Sequence, residues 1–441
     1  MAADVGLTIS RRPWLRAVTL CSLYCAQGLP YGFASIAVAA AMANHGATPD
    51  AIAGLMATIL LPWTFKWAWG PLIDRFNGSA MGRRRPWILM AQSLMVLGVL
   101  SIAFGPDPLE HQAWLLWSLL FVNIGCSLQD VSVDALAVDQ LKEDERGRIN
   151  GFMWGSNYVG LAAGGAALGT IAARTDLRDA AFVLAMAIGA IMLLPLLVRE
   201  RPGERRFPWS RGAAHPTSLA LRGSAMLVIA RLLRAFSLRS TLVGALFALA
   251  LMTSVGVLGA CSSVLLIQEL GWAQDDYSLW TGNIAFAGLA GSICGGLAAD
   301  RFGPRRIAAL GGLGVGVCLV VFAYATGQWS NQTFVIVYMG VESFCSGVMT
   351  VACFSMFMSL SWPLVAATQF TAYMAMFNIS RLIGTALVPS IVPESPTVEQ
   401  WSNVWLIAAA LQVVPLVLLL WIDPKQTRRV LGEGGEGNGL Q

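Results

Sequence analysis

Hydrophobic residues gather along this chain in twelve long runs, near 16–42, 51–73, 86–105, 113–139, 149–173, 180–198, 240–269, 278–299, 305–326, 332–361, 367–393 and 401–422. A helix rises about 1.5 Å per residue, so crossing about 30 Å of hydrocarbon takes roughly 20 apolar residues. The pattern predicts an all-α membrane protein with twelve transmembrane helices. The first run follows Arg11, Arg12 and Arg16 as the apolar part of a signal peptide would. It is longer than such a segment and eleven runs follow, so it reads as an uncleaved first helix.

Composition agrees with a lipid environment: of 441 residues 56% are hydrophobic and only 12% charged, and the mean hydropathy is +0.63. The basic residues set an orientation, because Lys and Arg in short loops stay on the cytoplasmic side. With both termini inside, 25 of the 29 Lys and Arg lie on that side, Arg174 and Arg178 face the other compartment, and Lys66 and Arg381 fall within spans. This topology accounts for the net charge of +4 and leaves nothing that calls for nucleic acid. All eight cysteines lie in the apolar runs, where a thiol behaves as a small hydrophobe. Cys21 and Cys25 share a helix face without a His or third Cys, so neither disulfide nor metal is expected.

The chain repeats itself. Gly70-Pro71-Leu72-Ile73-Asp74-Arg75-Phe76, followed by Gly82-Arg83-Arg84-Arg85, returns 226 residues later as Gly296-Leu297-Ala298-Ala299-Asp300-Arg301-Phe302, followed by Arg305-Arg306. At an offset of 221, Phe152-Met153 and Asn157 pair with Tyr373-Met374 and Asn378. Two parallel six-helix halves follow, residues 1–198 and 240–423. Between them, 199–239 carries nine Arg with Pro202, Pro208 and Pro216, and reads as a cytoplasmic linker with a surface helix near 217–236. The Gly- and Glu-rich end places a disordered tail at 424–441.

The Gly-x-x-x-Asp-Arg-x-Gly-Arg-Arg pattern after the second run resembles the signature of major facilitator transporters. An Asp at a helix end facing Arg side chains forms a charge cluster that makes and breaks as two halves rock. Gly70, Asp74, Arg75, Arg83 and Arg84, with Gly296, Asp300 and Arg301, are therefore candidate gating residues. The stretch Leu61-Pro62-Trp63-Thr64-Phe65-Lys66-Trp67-Ala68-Trp69-Gly70, with Gln129-Asp130-Val131-Ser132-Val133-Asp134-Ala135 and Glu143-Asp144-Glu145-Arg146-Gly147, resembles the branch holding AmpG-type muropeptide permeases and acetyl-CoA transporters. That resemblance implies a bacterial inner-membrane importer of anhydro-sugar peptides from cell-wall turnover. A related group sharing the Lys-containing second helix imports siderophores.

Ionisable groups inside a bilayer are costly and are functional candidates by default. Lys66 lies eight residues before Asp74, and Asp130 nine before Asp139, which places both about 12 Å inside the boundary, at a depth where they can pair. Asp130 and Asp134 share a helix face at i, i+4, where two like charges favour uptake of a proton. The alternative is that Asp130 neutralises Lys66 permanently and Asp134 caps the charge cluster. Arg381, near mid-membrane on the eleventh helix, needs a cavity, a carboxylate or an anionic substrate, and Glu342 lies ten residues into the tenth. With Lys66, Arg381 would offer an anionic solute two cationic anchors. Gln27, Tyr31, Trp154, Asn157 and Asn378 complete the candidate cavity.

Enzymatic chemistry finds little support. His45, His111 and His215 all fall in loops, and no Gly-x-x-x-x-Gly-Lys-Ser/Thr phosphate loop occurs. The expectation is a monomeric secondary transporter without cofactor, importing a muropeptide with protons by alternating access. The alternatives are a siderophore importer or a sensor that keeps the fold without transport.

Overall fold

Each long apolar run becomes a helix, because a helix satisfies its backbone groups internally where no water can. The computed structural model describes residues 7–75, 79–141, 146–213, 225–362, 365–393, 396–423 and 426–431. In chain order the helices are α1 (Pro13–Asn44), α2 (Pro49–Thr64, continued by a 3-10 turn at Lys66–Ala68 and by Trp69–Arg75), α3 (Arg85–Phe104), α4 (Gln112–Gln140), α5 (Arg146–Ala162, continued through Ala163–Ala167 to Leu168–Arg174) and α6 (Leu177–Leu197). After α7 (Ala225–Phe236) come α8 (Arg239–Glu269), α9 (Gln274–Phe302), α10 (Pro304–Tyr324), α11 (Gln332–Leu360), α12 (Ala366–Ile391), α13 (Val398–Trp421) and the short α14 (Gln426–Leu431). Eleven helices among the described residues are long and apolar enough to cross a membrane. The twelfth span is α5, which is as long but richer in glycine and polar residues.

The chain divides into two compact units. The N-terminal unit holds Met1–His45, Leu61–Gly223 and Trp272–Asn283, and the C-terminal unit holds Gly46–Leu60, Ser224–Gly271 and Ile284–Gln441. Each contains a close helix crossing. In the first, α1 lies against α5 so tightly that a Cβ on Gly28 would stand 2.1 Å from the Asn157 carbonyl oxygen, and one on Gly164 would stand 2.1 Å from that of Leu29. Only glycine lets two backbones approach this closely.

The second unit repeats the crossing with α8 and α12, where a Cβ on Gly256 would meet the Arg381 carbonyl oxygen at 2.1 Å. The crossing equates Arg381 with Asn157, whereas the constant 221-residue offset pairs Asn157 with Asn378. Three residues are nearly one helical turn, so both registers superpose the same apolar faces. Backbone contact distinguishes them.

Of the surface helix read near 217–236, Ala225–Phe236 is helical, and 214–224 lie outside the described residues. Its end is anchored to the C-terminal unit, where Ala235 is buried beside Trp362 and Val365 and the Phe236 ring meets Tyr373 edge-on at 5.4 Å. Within the tail read as disordered from 424, Gln426–Leu431 is helical. Gln426 Oε1 accepts the Ser240 N–H at 2.8 Å, and the Thr427 hydroxyl donates to the Leu360 carbonyl at 2.7 Å. The tail thus satisfies orphan groups at the start of α8 and the end of α11, a local need that composition does not reveal. Residues 432–441 lie outside the described residues.

Candidate functional site

A break in α2 positions Lys66. Pro62 lacks an N–H to continue the helical ladder, and Phe65 leaves helical geometry at φ −101° and ψ 7° before the 3-10 turn starts at Lys66. Side chains of α4 receive the broken segment. Lys66 Nζ donates to Asp130 Oδ2 at 3.0 Å, with both side chains only 13% and 12% exposed. Trp63 Nε1 donates to Asn123 Oδ1 at 3.2 Å, and Trp69 Nε1 to the Ser127 hydroxyl at 3.0 Å. Asn123, Ser127 and Asp130 stand four and three residues apart, so one face of α4 holds all three partners. The Lys66 ammonium also lies 5.9 Å from the Trp63 ring centre, within cation–π range.

Asp134, one turn beyond Asp130, is exposed and accepts a hydrogen bond from the Tyr24 hydroxyl of α1. Tyr24 itself is buried, with its ring edge-on to Trp154 at 6.0 Å, and its carbonyl accepts Asn157 Nδ2 at 3.3 Å. Gln129 Nε2 ties α4 to α1 through the Leu23 carbonyl at 2.8 Å. Gln27 is buried one turn along, with Nε2 unpartnered among the described residues. Tyr31 is half-buried at the next turn, its carbonyl accepting the Ser35 hydroxyl. The N-terminal unit therefore gathers Asp130, Asp134, Trp154 and Asn157 around Tyr24, with Lys66 paired to Asp130. Sequence reasoning missed Tyr24, although its spacing of three and seven residues from Gln27 and Tyr31 places all three on one helix face.

The candidates of the C-terminal unit are not gathered in this way. Arg381 is half-buried, has no ion pair among the described residues, and leaves Nε buried without a partner. Asn378 lies one turn before it on α12. Glu342 is half-buried on α11 near Tyr338, Cys318 and Cys345, with no ion pair among the described residues. Lys66, which the sequence offers both as a partner of Asp130 and as a second cationic anchor, is paired with Asp130 in this structure.

The first gating motif forms a clasp. Arg83 and Arg84 pair with Asp139 of α4 at 3.5 and 3.1 Å. The Glu200 carboxylate accepts backbone N–H groups of Arg83, Arg84 and Arg85, an anion capping the positive start of α3. Gly82, at φ 118°, makes room: a Cβ there would stand 2.6 Å from Glu200 Oε1. The Arg85 guanidinium donates to the carbonyls of Pro195 and Leu196 at the end of α6. In the second copy, Arg305 Nη1 donates to the Ile422 carbonyl just beyond α13 at 2.9 Å. Asp300 and Arg301 are exposed and join no ion pair among the described residues, and the Arg301 guanidinium lies over the Phe302 ring instead. The duplicated motif thus shares an arginine that caps the last helix of each half. Gly70 lies within Trp69–Arg75, as do Asp74 and Arg75, whose side chains are outside the described residues.

Burial raises the Glu200 carboxyl against the pull of its three N–H donors, and burial together with the Glu200 charge pushes Glu204 up to about 7. A carboxyl raised in the folded state holds its proton longer than the unfolded chain does, so stability falls as pH rises between the ordinary value and about 7. Amide hydrogen exchange across 199–206, corrected for intrinsic rates, is expected to be faster at pH 8 than at pH 6, and Glu204→Gln should remove most of the difference. Equal protection at both pH values would refute this.

A repeated bundle of long apolar helices with Lys66, Asp130, Glu342 and Arg381 set within them is the architecture of a polytopic solute transporter. The chain belongs to the Major Facilitator Superfamily, whose sequence pattern matches residues 20–259 and again 241–441, once in each half. It is similar to the anhydromuropeptide permease of Escherichia coli K12, 26% identical over 429 residues that cover 94% of this chain and 80% of that protein. It is also similar to a putative AmpG transporter of Rickettsia felis, at 21% identity over 85% of this chain and 89% of that one. Among solved structures, a D-xylose–proton symporter matches with a TM-score of 0.73 at 14% identity, covering 94% of this chain and 99% of the other. A peptide transporter matches with a TM-score of 0.68 at 13% identity, covering 94% and 95%. The protein is a multi-pass bacterial inner-membrane transporter of a small molecule, not an enzyme.

Proposed function

We propose that this transporter imports a cell-wall muropeptide together with protons by alternating access, as a monomer with both termini in the cytoplasm. The observation that carries the substrate is the likeness to the anhydromuropeptide permease across 94% of the chain. Proton coupling is supported by two carboxylates one turn apart on α4, of which Asp130 is paired with Lys66 while Asp134 joins no ion pair among the described residues. An anionic solute is supported by Arg381, whose guanidinium lacks an ion pair among the described residues. Alternating access is supported by the clasp at Arg83 and Arg84, a charge cluster at the start of α3 that can open and close. The distribution of basic residues supports the orientation.

The test is uptake by proteoliposomes under an imposed inward proton gradient, comparing labelled anhydro-muropeptide with a ferric siderophore and adding a protonophore. Gradient-dependent muropeptide accumulation abolished by the protonophore is expected. Siderophore uptake instead would move the substrate class, and transport of neither would remove the substrate reading.

A further inference from the structure

Asp134 and Trp154 are both exposed, yet the buried Tyr24 touches each of them. Its hydroxyl donates to one oxygen of Asp134, and its ring edge rests on Trp154 at 6.0 Å and 75°. One side chain thus lies between an acid able to carry a proton and an aromatic ring, 47% exposed, able to stack on a sugar. We infer that Tyr24 is the positioning residue through which the proton on Asp134 controls the Trp154 stacking surface. This inference rests on the reading of the protein as a proton-coupled muropeptide importer and assigns that reading's coupling step.

The argument is electrostatic. A hydroxyl bonded to a carboxylate is held about twice as strongly as one bonded to a neutral acceptor. When Asp134 takes a proton, it becomes a weaker acceptor and the tie between α1 and α4 slackens. Little else restrains the hydroxyl, whereas the backbone of Tyr24 is fixed by Asn157 and that of Leu23 by Gln129. Freedom gained by the phenol therefore appears as motion of its ring against Trp154. The charged groups facing Asp134 are Asp130 on its own helix and Lys66 from the break in α2, with Tyr24 the titratable group from α1. Lys66, joined to Asp130 at 3.0 Å, offsets part of the Asp130 charge at Asp134, and the tyrosine is its one direct hydrogen-bond partner among the described residues. By linkage, a sugar that stacks on Trp154 in one ring position must alter proton affinity at Asp134 by the same factor.

Tyr24→Phe keeps the ring and removes only the donor. Infrared titration of the purified protein in lipid, with Asp134→Asn used to assign the carboxyl band, is expected to show the Asp134 midpoint displaced by about one pH unit in Tyr24→Phe, as loss of one charge-assisted hydrogen bond implies. Muropeptide affinity should vary with pH between 5.5 and 8 in the wild type and become flat in Tyr24→Phe, while Trp154→Leu weakens binding roughly three- to tenfold. An unmoved infrared midpoint, or a Tyr24→Phe protein whose affinity keeps the wild-type pH dependence, overturns the inference. A wild-type protein that binds no muropeptide defeats the substrate reading instead, and the infrared comparison still decides whether Tyr24 governs Asp134.

Discussion

Lys66→Ala is expected to abolish gradient-driven uptake and to destabilise the N-terminal unit by about 3–5 kcal/mol, the range seen when one member of a buried ion pair is removed. The remaining Asp130 carboxylate would be almost enclosed and without its cation, and Trp63 would lose the charge beside its ring. The α2 break would keep its Trp63 and Trp69 hydrogen bonds but not its central tie. Thermal unfolding in detergent together with proteoliposome uptake separates two effects that a single assay would merge. A double replacement, Lys66→Met with Asp130→Leu, should recover most of the stability, because well-packed apolar residues often replace a buried pair without penalty. It should not recover transport. Normal uptake by Lys66→Ala at normal expression would exclude the α2 break from the site.

Arg381→Gln is expected to behave in the opposite way. No described carboxylate pairs with this guanidinium, and its Nε is buried without a partner, so the unloaded protein already bears the cost of desolvating it. Neutralising the residue should leave thermal stability unchanged or slightly higher. Transport should suffer, because a charge-assisted hydrogen bond to an anionic solute contributes about 1.5–3 kcal/mol. That corresponds to a rise in KM of roughly ten- to more than a hundredfold. Arg381→Lys should recover part of it, since Lys offers the charge without the planar fork. An unchanged KM would mean that the substrate does not meet Arg381. A marked loss of stability would instead point to a structural anion partner.

These two residues show where sequence reasoning reached and where it stopped. That Lys66 and Asp130 can meet was legible, because both are charges at equal depth inside neighbouring apolar runs, and depth follows from counting residues. That they are paired in this structure is what counting does not reveal. Arg381 was legible as an unusual mid-membrane charge, but not that no described carboxylate pairs with it, which depends on what every neighbouring helix presents. Tyr24 looked like an ordinary aromatic of the first run until α4 brought Asp134 to its hydroxyl. Glu200 carries no signal in the sequence of the arginine-rich linker, and is an anion cap only because the linker folds back on the start of α3.

The sequence by itself determined the membrane class, the twelve spans and the two-fold repeat. Hydrophobic length and motif recurrence are local properties that any chain of this composition must satisfy in lipid. Tertiary structure alone decided which polar groups are mutual partners, which register relates the two halves, and that Gln426–Leu431 forms a helix. Those outcomes depend on backbones brought within contact distance by glycines far apart in sequence, and on hydrogen-bonding groups at helix ends that must find an acceptor or donor wherever the packing places one.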